Sequence, residues 1–339
     1  MAQMKYYYEL TVSSSPHAHQ EATTKTIMRD VLIALIPAML FAIYNFGIRA
    51  LTVTAVSVAA CYGFEKLWNI LMKKHDKTYD LSACVTGVLL AFVCPVTVAY
   101  WQIILGAAFA ILLVKMLFGG LGRNVVNPAL AGRAFMMSWP VAMSTWIVPG
   151  LKNAASPFGV ADIATAATPL ANMHQGMMPE SMMPEGVAWV NMFWGNIGGC
   201  IGETSAVMLL IGLVYLLWRK VIKITIPAAY IGTVAVLTLL FPMGNNNLEW
   251  MLCHLFGGGL MLGAIFMATD YVTSPLTGKG QLIYGIGCGA LTVLIRYFGG
   301  YNEGVSYAIL IMNTCVVLLD RIGRPTKFGA PVEKKEAAK

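Results

Sequence analysis

Asp162-Ile163-Ala164-Thr165-Ala166-Ala167-Thr168-Pro169-Leu170 is a run of small residues that ends in a threonine. Flanking alanines leave that hydroxyl sterically open, and the ring-locked φ of Pro169 stiffens the backbone just after it. Thr168 is therefore a candidate for phosphoester formation, although the same run also reads as plain loop. Two carboxylates stand in apolar sequence: Glu203 near the middle of Val187 to Trp218, and Asp270 at the end of Leu248 to Thr269. An ionised carboxylate in such surroundings is costly and marks a candidate ion path; Asp270 also fits a helix terminus at an interface. Asn124 and Asn127 offer paired amide donors and acceptors, while Asn127 before Pro128 also reads as a helix N-cap followed by the first helical residue.

Other chemistry-bearing residues carry less. His17 and His19 lack a third ligand, which a metal site needs, and His174 and His254 have no ligand partners nearby in sequence. The pairs Met177-Met178 and Met182-Met183 suggest loop packing against a partner subunit more than copper. The seven cysteines contain no C-x-x-C pair and lie in apolar stretches, as small core residues do.

The elements that must position these residues are apolar. Hydrophobic residues make up 58% of the 339, only 12% are charged, and mean hydropathy is +0.67; the charged share is about half that of ordinary globular domains. Most of the chain is expected to sit in lipid. Apolar segments run from Ile27 to Phe46, Ala50 to Met72, Leu81 to Val98, Tyr100 to Phe118 and Val125 to Val148, the last interrupted by Pro128 and Pro140. After a polar stretch come Val187 to Trp218, Ile224 to Met243, Leu248 to Thr269, Gln281 to Phe298 and Val305 to Leu319. The first 26 residues are polar and resemble no cleavable secretory signal.

With the N-terminus in the cytoplasm, 20 of the 23 Lys and Arg fall inside and only Arg49, Lys152 and Arg296 outside. Cytoplasmic loops are enriched in these residues, so both termini are expected inside and the loop 149–186 outside. Topology thus accounts for the net charge of +7 without nucleic acid. A constant offset of 180 residues aligns Pro95 with Pro275, Thr97 with Thr277, Phe118-Gly119-Gly120 with Phe298-Gly299-Gly300, Val125 with Val305 and Leu130 with Leu310. Because five is odd, the second set of spans would cross in the opposite sense, and such folds keep their sites at broken helices near the midplane.

The stretch Gly119-Gly120-Leu121-Gly122-Arg123-Asn124-Val125-Val126-Asn127-Pro128-Ala129-Leu130-Ala131-Gly132-Arg133-Ala134-Phe135 resembles the signature of a known membrane family. Its members include the D subunit of Rnf complexes and the B subunit of the sodium-pumping NADH:quinone reductase. Four further segments agree in order: Ser14-Ser15-Pro16-His17, 195–205 from Gly195 to Ser205, 267–275 from Met267 to Pro275, and 301–310 from Tyr301 to Leu310. In that family the attachment motif is Ser or Thr, Gly, Ala, Thr with FMN on the last threonine; here it is Thr165-Ala166-Ala167-Thr168. The resemblance implies FMN esterified to Thr168, and a noncovalent riboflavin that Asn124 and Asn127 would read at its pyrimidine edge.

The expected fold is an all-α polytopic membrane protein of about ten transmembrane helices in two inverted five-helix repeats. A cytoplasmic tail (1–26) precedes the first repeat (27–148), an extracytoplasmic flavin-bearing loop (149–186), the second repeat (187–320) and a cytoplasmic tail (321–339). The resemblance implies an electron-transfer subunit of an inner-membrane complex that couples ferredoxin and NAD to movement of Na+ or H+, with Glu203 and Asp270 on the ion path. Partners would be a second covalent-flavin subunit, iron-sulfur subunits and a flavin transferase, since no Cys spacing here suits a cluster and nothing resembles a dinucleotide-binding fold. Rival readings are a passive small-solute channel, which needs no threonine-linked flavin, and a structural scaffold.

Overall fold

The computed structural model describes residues 23–73, 78–138, 145–147, 167–174, 188–244, 246–300 and 303–322. Ser14 to His17, His19, Lys152, Thr165, the methionine pairs at 177–178 and 182–183, and the C-terminal tail from 323 onward lie outside the described residues. Within them the chain is helical, and no strand is present.

Thirteen helices are described: α1 Thr24–Phe46, α2 Ile48–Leu71, α3 Ser82–Phe92, α4 Tyr100–Met116, α5 Pro128–Met136, α6 Pro169–His174, α7 Ala188–Trp194, α8 Ala206–Trp218, α9 Thr225–Leu240, α10 Asn247–Phe256, α11 Leu260–Met267, α12 Gly278–Phe298 and α13 Val305–Leu319. Several start where a polar side chain replaces the missing intrahelical acceptor. Asn127 Oδ1 accepts from Ala129 N and Leu130 N at the start of α5, Asn246 Oδ1 from Leu248 N and Glu249 N at α10, and Thr277 Oγ1 from Gly280 N at α12. The second half of α4, Phe109–Met116, is wound as a π-helix.

Helices α1 and α12 are long and apolar enough to cross a membrane, and α10 with α11 make a third such span bent by 58° at its break. Others are apolar but short: α3, α4, α8, α9 and α13 have 10–17 residues. Three apolar segments that read as continuous in sequence are therefore interrupted. The third stops at Phe92, the sixth opens into irregular chain over 195–205 between α7 and α8, and the eighth breaks at Gly257-Gly258-Gly259. Pro128, expected to interrupt the fifth segment, instead begins α5, where its lack of an N–H costs nothing.

Irregular backbone among apolar helices is tolerable only where protein supplies its hydrogen bonds. Cys94 O accepts from Ile201 N (3.0 Å) and Phe92 O from Gly202 N (2.9 Å), so two of the interruptions pair with each other. Arg49 Nε donates to Val96 O (2.9 Å) and its Nη2 to Val98 O (3.2 Å). Arg296 donates to the carbonyls of His254 (2.6 Å), Gly257 (3.1 Å), Gly258 (3.3 Å) and Glu303 (3.0 Å), closing the open end of α10. Both arginines are buried, as are Lys115 and Arg133. Counted from sequence as loop charges, these four instead act inside the bundle.

Close helix contact completes the frame. A Cβ on Gly285 would lie 2.6 Å from Ala229 Cβ, and one on Gly289 would lie 2.7 Å from Thr233 Cβ, so the Gly-x-x-x-Gly spacing lets α12 press its backbone against α9.

Candidate functional site

The polar residues that stand out in the sequence fall into three places, all set by the interruptions. The first is a cavity between α1, α3, α5, α8 and α11, about 750 Å³ counting its open mouth. Asn124, Asn127 and Asp270 line it together, with Lys115, Phe266 and Tyr271 among the other walls. It is an apolar recess with a few convergent polar groups. Asn127 also caps α5 and donates from Nδ2 to Met267 O at 3.3 Å, tying α5 to the end of α11. Asn124 Nδ2 donates to Val126 O at 3.2 Å. Asp270 accepts from Thr273 Oγ1 at 3.1 Å and is partly exposed within the cavity.

Behind that cavity, Lys115 Nζ donates to Glu65 Oε2 at 2.7 Å and to Ser82 Oγ at 2.6 Å, and Ser82 Oγ donates to Asp80 Oδ1 at 2.6 Å. Both members of the Lys115–Glu65 pair are almost wholly buried. The π-turn in α4 ends at Lys115's own turn, where such bulges commonly aim a functional side chain.

The second place surrounds Arg133 on α5. Its Nη1 donates to Ser306 Oγ (2.9 Å) and Glu203 Oε1 (3.3 Å), and its Nη2 pairs with Glu303 Oε2 and reaches Cys200 Sγ at 3.9 Å. Hydropathy alone places Glu203 inside a helix; it lies instead in the irregular segment between α7 and α8, buried against the break of α10 and α11. A Cβ on Gly259, whose φ is +68°, would lie 2.4 Å from Glu203 Oε1, so only glycine lets the carboxylate approach this backbone. Cys200, Glu203 and Glu303 hold their ligand-type atoms within 4.8 Å of one another. The Arg133 guanidinium sits among them as the neutralising cation.

The third place is α6. Thr168 is its N-cap: Oγ1 accepts from Ala171 N at 3.3 Å, and the residue is buried at 7% exposure while Ala167 beside it is exposed. The alanine-rich sequence suggests an open hydroxyl; in the structure Thr168 as a residue is buried and its hydroxyl caps its own helix. Two contacts hold α6 over the break. Leu170 packs on Gly257 and Gly258, where a Cβ would lie 2.2 Å and 3.0 Å from its methyls, and His174 Nε2 lies 2.9 Å from Gly299 O. The carbonyl neighbours raise the His174 pKa above its usual value. Leu170, two residues after Thr168, and Glu203 thus meet at the same break, while Asn124, Asn127 and Asp270 line the separate cavity.

The family model for NQR2, RnfD and RnfE matches residues 11–329. The chain belongs to the NQR2, RnfD, RnfE family. Within that family it is 45% identical over 335 residues to the D subunit of the Na(+)-translocating ferredoxin:NAD(+) oxidoreductase complex of Acetobacterium woodii, covering 97% of this chain and 98% of that one. It is 42% identical to the D subunit of the proton-translocating ferredoxin:NAD(+) oxidoreductase complex of Clostridium ljungdahlii, over 94% of this chain and 96% of that one. The D subunit of the ion-translocating oxidoreductase complex of Aeromonas salmonicida shares 34% identity over 94% of this chain and 98% of its own.

Sequence reasoning misses the partners that make these sites work. It counts Arg133 and Arg296 as loop charges and gives Glu65 and Glu303 no role. The available signal is balance: buried carboxylates call for buried cations, and Glu303 lies only three residues before Ser306, with which it shares Arg133.

Proposed function

We propose that this chain is the membrane electron-transfer subunit of an ion-translocating ferredoxin:NAD oxidoreductase complex, with FMN esterified to Thr168. The observation that carries the complex assignment is near-full-length similarity, at 45% identity, to the D subunit of such a complex. The flavin assignment is supported by Thr168 standing as the last threonine of Thr165-Ala166-Ala167-Thr168, at the head of a helix docked on the bundle. In the cap bond Oγ1 accepts from Ala171 N and its own proton is unused, so an ester oxygen at this position could still accept. FMN held there supplies reversible electron transfer, and iron-sulfur subunits, a second covalent-flavin subunit and a flavin transferase complete the proposed system.

The chain's own residues would do the rest. Asn124 and Asn127 would hold a noncovalent riboflavin in the chamber they line. Glu203, paired to Arg133 and seated on the glycine break, and Asp270, at the mouth of the same chamber as Lys115, are groups through which Na+ or H+ would pass. Leu170 and Glu203 touch adjacent glycines of one break, so a shift of α6 would be felt at the carboxylate.

The fold proposed is two inverted five-helix repeats with both termini cytoplasmic in a bacterial inner membrane. The order of elements favours it: at an offset of about 180 residues α1 corresponds to α8, α2 to α9, α3 to α11, α4 to α12 and α5 to α13. Leu81 and Gly259, each in the left-handed region, stand before the corresponding α3 and α11. The reading is tested by ultraviolet fluorescence of the denatured full chain after expression with a flavin transferase. A fluorescent band that disappears in Thr168→Ala supports it; a dark wild-type band leaves a solute channel as the better description.

A further inference from the structure

At the end of the bundle where α1 begins and the chain turns from α8 into α9, a pocket of about 1850 Å³, counting its open mouth, separates the helices. Helix α1 packs on α8 and α9 on α12, and the pocket lies where these two pairs part. Its basic wall is the turn Arg219-Lys220-Val221-Ile222-Lys223. One of the three cations is already used. Arg219 Nε and Nη2 each lie 3.2 Å from Asp30 Oδ2, and Asp30, only 5% exposed, also accepts from the Tyr215 hydroxyl at 3.3 Å. Lys220 and Lys223 are exposed, and among the described residues neither has an acidic partner. The pocket therefore carries two positive charges that the described residues do not compensate.

Lys220 is also strained. Its φ of +55° is left-handed, a region that residues other than glycine, Asn and Asp seldom enter. It stands just past the end of α8, where Val221 N donates to Leu216 O at 2.9 Å and Lys220 N to Leu217 O at 3.0 Å. That is a helix stop whose left-handed position is usually glycine. What lysine adds there is its charge. Other walls are apolar, Ile27, Ile222, Ile226 and Leu276 among them. Trp218, next to Arg219, is 77% exposed and Leu276 78%; exposed indoles favour the boundary between hydrocarbon and headgroups, which puts the pocket at headgroup depth. Topology asks for basic residues at a cytoplasmic end, but not for a cleft between helix pairs or a left-handed lysine. Paired lysines over an apolar cleft match the two halves of an anionic phospholipid. A bare anion would use only the lysines, and a folded acidic partner would not fill the cleft.

We propose that this pocket binds the headgroup of an anionic phospholipid, its phosphate on Lys220 and Lys223 and an acyl chain along Ile27, Ile222 and Ile226. The site is independent of the flavin and ion-path readings. It shares Ile27, Val221, Ile222, Thr269 and Tyr271 with the recess of Asn124, Asn127 and Asp270, and the Tyr271 hydroxyl donates to the Val221 carbonyl in that common wall. Lipid bound in the pocket braces the wall from outside the recess.

The test uses the full chain in mild detergent, washed free of co-purifying lipid and incubated with phosphatidylglycerol, or with phosphatidylcholine of the same acyl chains, before native mass spectrometry. Wild type retains one phosphatidylglycerol in preference to phosphatidylcholine, and inorganic phosphate does not displace it. Lys220→Gly combined with Lys223→Gln weakens that retention about 30-fold, the loss of two cations near a membrane surface. Its Tm in lipid-free detergent does not fall, since glycine suits the left-handed position, so lost binding is separated from lost folding. Lys223→Gln alone leaves the turn untouched and weakens retention about 5-fold. Arg219 stays in place because it holds Asp30. Lys279→Gln, in the first turn of α12 at the same end but outside the pocket, changes nothing. Equal retention of the two lipids, displacement by inorganic phosphate, an equal loss in Lys279→Gln, or full retention in the lysine variants overturns the proposal. Lysine variants that keep phosphatidylglycerol but shed partner subunits from the purified complex also overturn it, in favour of a protein contact.

Discussion

Replacing Arg133 by methionine keeps an unbranched apolar stem in the site and removes the charge. Arg133 donates to Glu203, Glu303 and Ser306, and the side chains of Glu203 and Glu303 are only 5% and 15% exposed. The change leaves two carboxylates facing each other with no cation between them. Removing one partner of a buried pair costs about 3–5 kcal/mol, roughly 150- to 4,000-fold in the folding equilibrium. For a chain of this size that is a fall in Tm of about 4–7 °C. The assay is loss of the monodisperse size-exclusion peak of the detergent-solubilised chain after heating. Arg133→Met combined with Glu203→Gln and Glu303→Gln removes every charge from the cluster and recovers most of the loss, because uncharged replacements of a buried ion cluster are close to neutral. A single variant melting within about 1 °C of wild type, against a penalty of this size, would refute the cluster as an electrostatic unit. So would a triple variant no better than the single.

Three further outcomes are expected. Glu203→Gln keeps the acceptor facing Arg133 but removes the charge, so ion uptake into proteoliposomes carrying the complex falls while flavin attachment is unchanged; undiminished uptake removes Glu203 from the ion path. Gly285→Val drives methyl groups into Ala229 and the Ile226 carbonyl, which a Cβ would already approach to 2.6 Å and 3.0 Å, and the overpacking costs about 1–3 kcal/mol, seen as a lower Tm; wild-type stability would show that α12 and α9 are not in contact there. The folded-state pKa of His174 is raised, mainly by the Gly299 carbonyl, so its stabilising contribution is full below the unfolded value of about 6.5 and is lost as pH rises through the higher folded value. Amide exchange in Leu170 to Met173 therefore quickens more between pH 6 and 8.5 in wild type than in His174→Gln, once intrinsic exchange is subtracted; identical profiles contradict the contact.

Much of the helical order is legible in sequence. Apolar runs locate most helices, and Asn127-Pro128 announces the start of α5 because capping is a local interaction between neighbours. The breaks are less legible. Gly257-Gly258-Gly259 and Pro95 are local breaker signals, but they lie in apolar surroundings and averaged hydropathy reads straight through them. Their stability comes from Arg296 and Arg49, each about forty residues or more away, whose guanidiniums satisfy the freed carbonyls. The same distance hides the pairing of Glu203 with Arg133, separated by 70 residues. Thr168 is found by the motif around it, yet its burial depends on α6, whose Leu170 and His174 dock on Gly257, Gly258 and Gly299 far along the chain.

The proposed electron-transfer role depends on the ester at Thr168, and peptide mass spectrometry tests that bond directly. The full chain, expressed with a competent flavin transferase, is digested and the peptide containing Thr168 is weighed and fragmented. The expected result is an added mass of FMN less one water, localised to Thr168 and absent from Thr168→Ala, with Thr165 unmodified. A Thr168 peptide of unmodified mass in the wild-type chain, or an adduct fragmenting to Thr165, would contradict it.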